Sequence, residues 1–128
     1  MQPTARLFVS LGSANAALAV ILGAFGAHAI KTRVAPQMLE VYHTAAQYHF
    51  YHALGMLLVG VLATQMQATG ALRLSGFLML AGIVLFCGSL YVLAITGVTW
   101  LGAITPLGGL AFIAAWIVLA VGALRATA

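Results

Sequence analysis

The residues that could carry chemistry lie in one short segment of this chain. The segment runs from Glu40 to His52 with the sequence EVYHTAAQYHFYH, and it holds the only acid and three of the four histidines. Histidine changes charge near neutral pH, so such a cluster can bind a proton, a metal or a polar ligand. At about 100° per residue, four of its polar side chains share one helix face: Glu40, His43, Gln47 and Tyr51. His49 points almost opposite to Glu40, so the segment predicts two groups of residues rather than one site.

The shared face predicts a polar network at the membrane surface. Its four residues, with the neighbouring tyrosines, would tie the second helix to lipid headgroups and to the basic loop Lys31–Arg33. Counting back ~20 residues from the end of the apolar run places Glu40 and His43 at headgroup depth. An interfacial network is therefore the expected role of this face.

The second group is a candidate ligand or proton site: His28, Tyr48, His49 and His52. His28 is the one histidine outside the segment, and it lies near the end of the first apolar run. The first two helices meet at this side of the membrane. We therefore expect a pocket between helices 1 and 2, with His28 against His52, because ionisable residues in membrane segments mark substrate and proton paths.

Metal or haem binding is a further hypothesis. Glu40 and His43 match the Glu-x-x-His element of di-iron bundles, but those sites need carboxylates from four helices and this chain has one acid. A bis-histidine haem would require His28 together with His49 or His52. The sequence contains no Ser-x-x-Lys, GxSxG, HExxH or GxxxxGK motif. We therefore predict no catalytic residue, no resident metal and no cofactor, and we do not expect an enzyme.

The elements that position these residues must be membrane helices. The chain is 64% hydrophobic and 5% charged over 128 residues, whereas soluble domains carry roughly a quarter charged residues. A crossing needs ~20 apolar residues, so the length suits four crossings and no separate soluble domain. The predicted fold class is all-α, a single four-transmembrane-helix bundle with helices over about 5–29, 36–66, 72–96 and 105–124. Thr4 and Thr105 are the expected N-caps of the first and last helices, and Pro36 and Pro106 suit first turns.

Small residues predict how these helices pack. Helices in lipid associate through close backbone approach and inter-helix hydrogen bonds, so small residues collect at their contacts. The expected packing positions are Gly23 and Ala27 in helix 1 and Gly108 and Gly109 in helix 4. Asn15 is expected to form a hydrogen bond between helices, because its amide needs a partner in the membrane.

The cations flank the apolar runs. Arg6, Arg73 and Arg125 would lie on one side of the membrane, and Lys31 and Arg33 on the other. Cytoplasmic loops carry the excess of Lys and Arg, so three against two favours both termini in the cytoplasm. The partner implied by this scatter is the lipid bilayer, not nucleic acid.

Three stretches of the chain together resemble a known family. They are LGAFGAH over 22–28, YHFYHAL over 48–54 and TPLGG over 105–109. In this order they are similar to the YgdD-type family of small bacterial inner-membrane proteins, a domain of unknown function with a eukaryotic transmembrane relative. The resemblance implies a four-helix protein of the bacterial inner membrane without an established activity. It also implies that His28 and His52 belong to the family pattern.

These observations predict a structural or accessory membrane component that works as a homo-oligomer or as a subunit of a larger membrane complex. The small-residue faces, without a complete catalytic set, favour this role. A transporter, or a protein that binds a small ligand or a proton in the histidine pocket, is the alternative.

Overall fold

The computed structural model describes residues 1–67 and 69–126, which form four helical rods and, within these ranges, no β-strand. Rod 1 is α1 (Pro3–Phe25) continued by a π-helical turn (Gly26–Ile30), and rod 2 is α2 (Pro36–Leu62). Rod 3 joins α3 (Thr69–Gly82), a second π-helical turn (Ile83–Cys87) and α4 (Gly88–Thr96). A 3₁₀ turn (Thr99–Ala103) leads into rod 4, α5 (Thr105–Arg125). The predicted all-α class is confirmed.

Three of these rods are long and apolar enough to cross a membrane: Pro3–Ile30, Gly70–Thr96 and Thr99–Arg125. Each has 27 or 28 residues, about 40 Å of helix at 1.5 Å per residue. α2 has 27 residues but carries the histidine and tyrosine segment, which lowers its hydropathy. The chain is therefore a membrane protein with three helices that meet the requirements of a membrane span by length and composition.

The first and last helices begin differently from the prediction, because the threonines expected to cap them bond to other helices. Pro3 opens α1, with Gln2 as N-cap, so Thr4 lies inside the first turn instead of capping it. Proline suits that position because its missing N–H would be unpaired there. The Thr4 hydroxyl instead accepts a 3.3 Å bond from Arg73 Nη1 of α3. Thr105 likewise lies inside α5, and its hydroxyl pairs with Ser89 Oγ of α4 at 2.7 Å.

Two further ends are set by the local backbone. α2 stops at Leu62, four residues before the predicted end, and a turn follows in which Thr64 Oγ1 donates to the Val61 carbonyl. α4 ends at Thr96, and its C-cap, Gly97, adopts φ +72°. Glycine is favoured there because a left-handed cap costs it no steric penalty.

The rods pack mainly as sequential pairs. α1 packs chiefly on α2 and α5 chiefly on α3, while α2 also contacts α3 and α4. The shared core is apolar and includes Phe8, Met56, Met79 and Phe112. α2 is therefore the helix that joins the two pairs, and it is also the helix that carries the histidine segment.

Glycines allow the closest approach between α1 and α2. A Cβ added at Gly12 would lie 2.6 Å from the Leu57 nitrogen and 2.8 Å from the Ala53 carbonyl oxygen. At Gly60 the same atom would lie 2.7 Å from the Val9 nitrogen. These contacts are with backbone atoms, so neither position has room for a side chain.

The predicted packing positions divide into two kinds. Gly108 meets the backbone of Phe86, and Gly109 makes only ordinary contact with the Phe86 ring. Gly23 has nothing within 4 Å of an added Cβ, and Ala27 is exposed. The small-residue face predicted at Gly23 and Ala27 is thus left open, while Gly12 and Gly60 form the tight contact of α1.

Candidate functional site

His49 lies at the centre of a hydrogen-bonded chain that joins three helices. Its side chain is 2% exposed. Nε2 lies 3.0 Å from Oδ1 of Asn15 in α1, and Nδ1 lies 3.0 Å from the hydroxyl of Tyr91 in α4. Asn15 Nδ2 in turn donates to the Leu11 carbonyl at 2.9 Å. Each polar side-chain atom of Asn15, His49 and Tyr91 has a hydrogen-bond partner. The network is therefore a structural clamp between α1, α2 and α4.

The direction of these bonds follows from the chemistry of the groups. Since the Asn15 amide nitrogen donates to Leu11, its oxygen accepts, and His49 Nε2 must carry a proton. With a neutral imidazole, Nδ1 then accepts the Tyr91 hydroxyl proton. The four groups form a single directed chain from Tyr91 to the Leu11 carbonyl.

His52 faces α5 and is 5% exposed. Its Nε2 lies 3.1 Å from Trp116 Nε1, and its Nδ1 lies 2.7 Å from the Tyr48 carbonyl oxygen. An indole N–H can only donate and a carbonyl can only accept, so Nε2 is the acceptor and Nδ1 carries the proton. Both ring nitrogens are therefore occupied, and His52 is held as one neutral tautomer.

An aromatic wall surrounds His52. Its ring stacks on Phe112 of α5 with centroids 3.5 Å apart and an interplanar angle of 9°. The Tyr48 ring is nearly parallel to both, at 13° to His52 and 22° to Phe112. Phe86, from the π-helical turn Ile83–Cys87, closes the cluster with its centroid 5.0 Å from that of Tyr48.

A cavity of about 550 Å³ lies against this wall between α2 and α5. It is lined by rings and small apolar groups: Tyr48, Tyr51, His52, Phe86, Gly109, Phe112, Ile113 and Trp116. Ligand sites commonly have ~300–1,000 Å³ and mostly apolar walls with few polar groups. The cavity therefore has the size and the kind of lining that a small-molecule site requires.

The site predicted between helices 1 and 2 is thus only partly assembled. Tyr48 and His52 come together, but their cavity faces α5, and His49 points to α1 and α4. His28 is exposed on the π-helical turn after α1 and does not line this cavity. The structure places His52 against α5 rather than beside His28. Helical periodicity shows which residues share a face, but not which neighbouring helix that face meets.

The predicted surface network is exposed and mostly local to α2. Glu40 and His43 are exposed near its start. Gln47 Nε2 donates to the Tyr51 hydroxyl at 2.5 Å, one helical turn away. Of the tyrosines nearby, Tyr42 is 1% exposed, and its hydroxyl donates to the Leu22 carbonyl of α1 at 2.6 Å. Tyr42 therefore fastens α1 to α2, a role that sequence reasoning missed.

Four aromatic residues of the site were not predicted as members: Phe86, Tyr91, Phe112 and Trp116. Phe112 and Trp116 are four residues apart on α5 and so share one helix face. That spacing was a usable signal, but it does not identify α2 as the partner.

In the part of the chain that the structure describes, no three His, Cys, Asp or Glu side chains lie close enough together to hold a metal ion. The two buried histidines already use all four ring nitrogens in hydrogen bonds. A metal or a haem iron would have to displace Asn15, Tyr91, Trp116 or a backbone carbonyl.

The fold and this site define a small all-helical membrane protein with a histidine and aromatic cluster in its interior. The chain belongs to the family described as protein of unknown function, DUF423, whose model matches residues 22–109.

Several relatives match almost from end to end. The chain is 52% identical over 120 residues to the UPF0382 membrane protein YwdK of Bacillus subtilis, covering 94% of this chain and 98% of that protein. It is 40% identical over 122 residues to a UPF0382 membrane protein of Staphylococcus saprophyticus, covering 94% and 98%. For one of Staphylococcus epidermidis the identity is 41%, covering 94% and 97%. No solved structure matches the chain significantly. The protein is a small membrane protein of a family whose activity is not established.

Proposed function

We propose that this protein crosses the bacterial inner membrane four times and acts as an accessory component of a membrane assembly, through copies of itself or through a larger complex. The YgdD-type resemblance supports the location. The observation that carries the proposal is that the two buried histidines of α2 face inward, while large apolar side chains of the same helix face outward.

Two histidines of α2 lie against the other helices. His49 and His52 are 2% and 5% exposed. The opposite side presents large apolar groups: Phe50, Leu54, Leu58 and Val61, each between 37% and 50% exposed. Lipid favours apolar outer surfaces, and polar groups in membrane helices face the protein interior. This division supports α2 as a fourth crossing despite its modest hydropathy.

Labelling of single cysteines tests both the crossing and the orientation. In a Cys87→Ala background, we expect Thr32→Cys to react with a membrane-impermeant maleimide in intact cells. Gln65→Cys should react only after permeabilisation, because α2 separates the two positions and the positive-inside rule places residue 65 in the cytoplasm. Equal reaction at both positions in intact cells would overturn the fourth crossing. The reverse pattern would overturn cytoplasmic termini.

The association is supported by the open small-residue face of α1. Gly23 has open space around it, and Ala27 is exposed. Small residues at this four-residue spacing let helix backbones approach closely in lipid, but no helix in the described part of this chain covers these two. A face of this kind suits a helix of a second protein or of a second copy.

Replacing Gly23 by leucine should reduce crosslinked dimers or heteromers in native membranes at least threefold. The larger side chain would hold the two backbones apart and remove the close van der Waals contact through which helices associate in lipid. The matched control is Ala17→Leu, an exposed position about 120° away on α1, which should leave crosslinking unchanged. If the wild-type protein gives only monomers and no partner, the accessory role is overturned.

A second candidate function is binding of a small ligand. The cavity of about 550 Å³ between α2 and α5 favours it, since its wall holds Tyr48 and His52 of the expected ligand site. Proton transfer has less support, because His52 already uses Nε2 as an acceptor and Nδ1 as a donor. Ligand binding and assembly are compatible roles for one protein.

A further inference from the structure

We propose that the cavity between α2 and α5 binds the ring of a lipid-soluble quinone. The inference rests on the second candidate function, ligand binding, and specifies the chemistry of the ligand. It follows from the depth, the lining and the remaining hydrogen-bond donors of the cavity.

The cavity lies at the depth of the hydrocarbon. Trp116, at one end, is the twelfth of 21 residues in α5, about 16 Å along the helix from Thr105. The rim is formed by partly exposed side chains, with Tyr51 49%, Ile113 58% and Trp116 40% exposed. A molecule dissolved in the bilayer can therefore enter sideways between the two helices.

The walls suit a flat, uncharged ring. None of the eight lining residues carries a formal charge, and five of them are phenylalanine, tyrosine or tryptophan. The rings of Tyr48, His52 and Phe112 are nearly parallel, with pairwise interplanar angles of 9° to 22°. Aromatic rings gain most from offset stacking or edge contacts with another ring. A planar ligand can use this wall, whereas a flexible acyl chain gains only apolar contact.

The polar groups that remain available are donors. His52 and Trp116 are bonded to each other, so neither can offer a hydrogen bond to a ligand without breaking that pair. The Tyr51 hydroxyl accepts from Gln47 and keeps its own proton for donation. The bond between His52 and Tyr48 involves the main-chain carbonyl of Tyr48, so the Tyr48 phenol is a second donor. Two phenolic donors beside a stacking wall match a ring that carries carbonyl oxygens.

Tryptophan fluorescence offers a direct test in the intact protein. The chain has two tryptophans, and Trp100 lies outside the cavity at 65% exposure. In full-length Trp100→Phe protein in lipid nanodiscs, Trp116 is then the only tryptophan. Titration with a benzoquinone bearing a decyl tail should quench it saturably, and decylbenzene, which has the tail and a ring but no carbonyl, should fail to compete.

Two variants separate binding in the cavity from partitioning into lipid. Tyr48→Phe keeps the ring and removes a donor, so we expect about three- to tenfold weaker binding. In Gly109→Leu the new side chain has room to extend into the cavity, because an added Cβ there meets only the Phe86 ring at 3.8 Å. The leucine then occupies the space of the ligand and should abolish saturable quenching. The control Gly70→Leu, on a separate cavity between α3 and α5, should bind the quinone as the parent does.

The outcomes distinguish this inference from ligand binding in general. Saturable quenching lost in Gly109→Leu and weakened in Tyr48→Phe supports a quinone. Quenching that rises without saturation, or that is unchanged in both variants, overturns it. Displacement of the quinone by decylbenzene would overturn the quinone as ligand class, while leaving the cavity as a site for an apolar molecule.

Discussion

Replacing Gly12 by alanine is expected to destabilise the protein by about 3 kcal/mol, the upper part of the range for overpacked sites. The added Cβ would lie 2.6 Å from the Leu57 nitrogen and 2.9 Å from its Cα. Backbone atoms inside a helix cannot rotate away as a side chain can, so α1 must move off α2. Reversible unfolding in mixed micelles, followed by tryptophan fluorescence, measures the loss.

Gly23→Ala is the matched control on the same helix. An added Cβ there meets nothing within 4 Å, so its free energy of unfolding should stay within about 0.5 kcal/mol of the wild type. Equal stability of the two alanine variants would show that α1 and α2 do not approach as closely as the structure has them.

Replacing His49 by leucine is expected to cost about 2–3 kcal/mol. Leucine has a similar bulk, so the main loss is that Asn15 Oδ1 and the Tyr91 hydroxyl are left without their partner. A buried polar group without a partner costs about 1–3 kcal/mol, although single inter-helix hydrogen bonds in membranes average about 0.6 kcal/mol. The same unfolding measurement applies.

His43→Leu provides the control, since this histidine is exposed on the same helix. Its effect should stay within about 0.5 kcal/mol. A double variant with Asn15→Ala tests the pairing directly: because the two residues share one bond, the combined loss should be smaller than the sum of the single losses. Strict additivity would contradict the clamp.

Composition and apolar run length were enough to predict helices, because a backbone in lipid must satisfy its own hydrogen bonds. Pro36 marked the start of α2 correctly, since proline is favoured only in a first turn. Helix ends were less predictable where a threonine had a better partner than its own backbone, as with Thr4 and Thr105.

The site was harder to predict than the helices. Tyr48 and His52 share a helix side, and this is visible in their spacing. That His52 meets Trp116 depends on how α2 and α5 are turned against each other. The rotation of α2 relative to α5 is set by many small contacts, among them Gly108 against Phe86. These contacts cannot be predicted from the sequence of one helix. The sequence shows that Gly12 is small, but only the structure shows that the backbone of α2 leaves no room there for a side chain.

The sequential pairing of the rods has a consequence for how the chain is made. α1 and α2 leave the ribosome together, and each already has its main partner in the other. α3 and α5 form the second hairpin in the same way. Contacts between chain neighbours close early and quickly, so each hairpin can enter the bilayer as a unit. The last step is then the docking of the two hairpins, in which Tyr91 completes the hydrogen bonds of His49 and Trp116 completes those of His52.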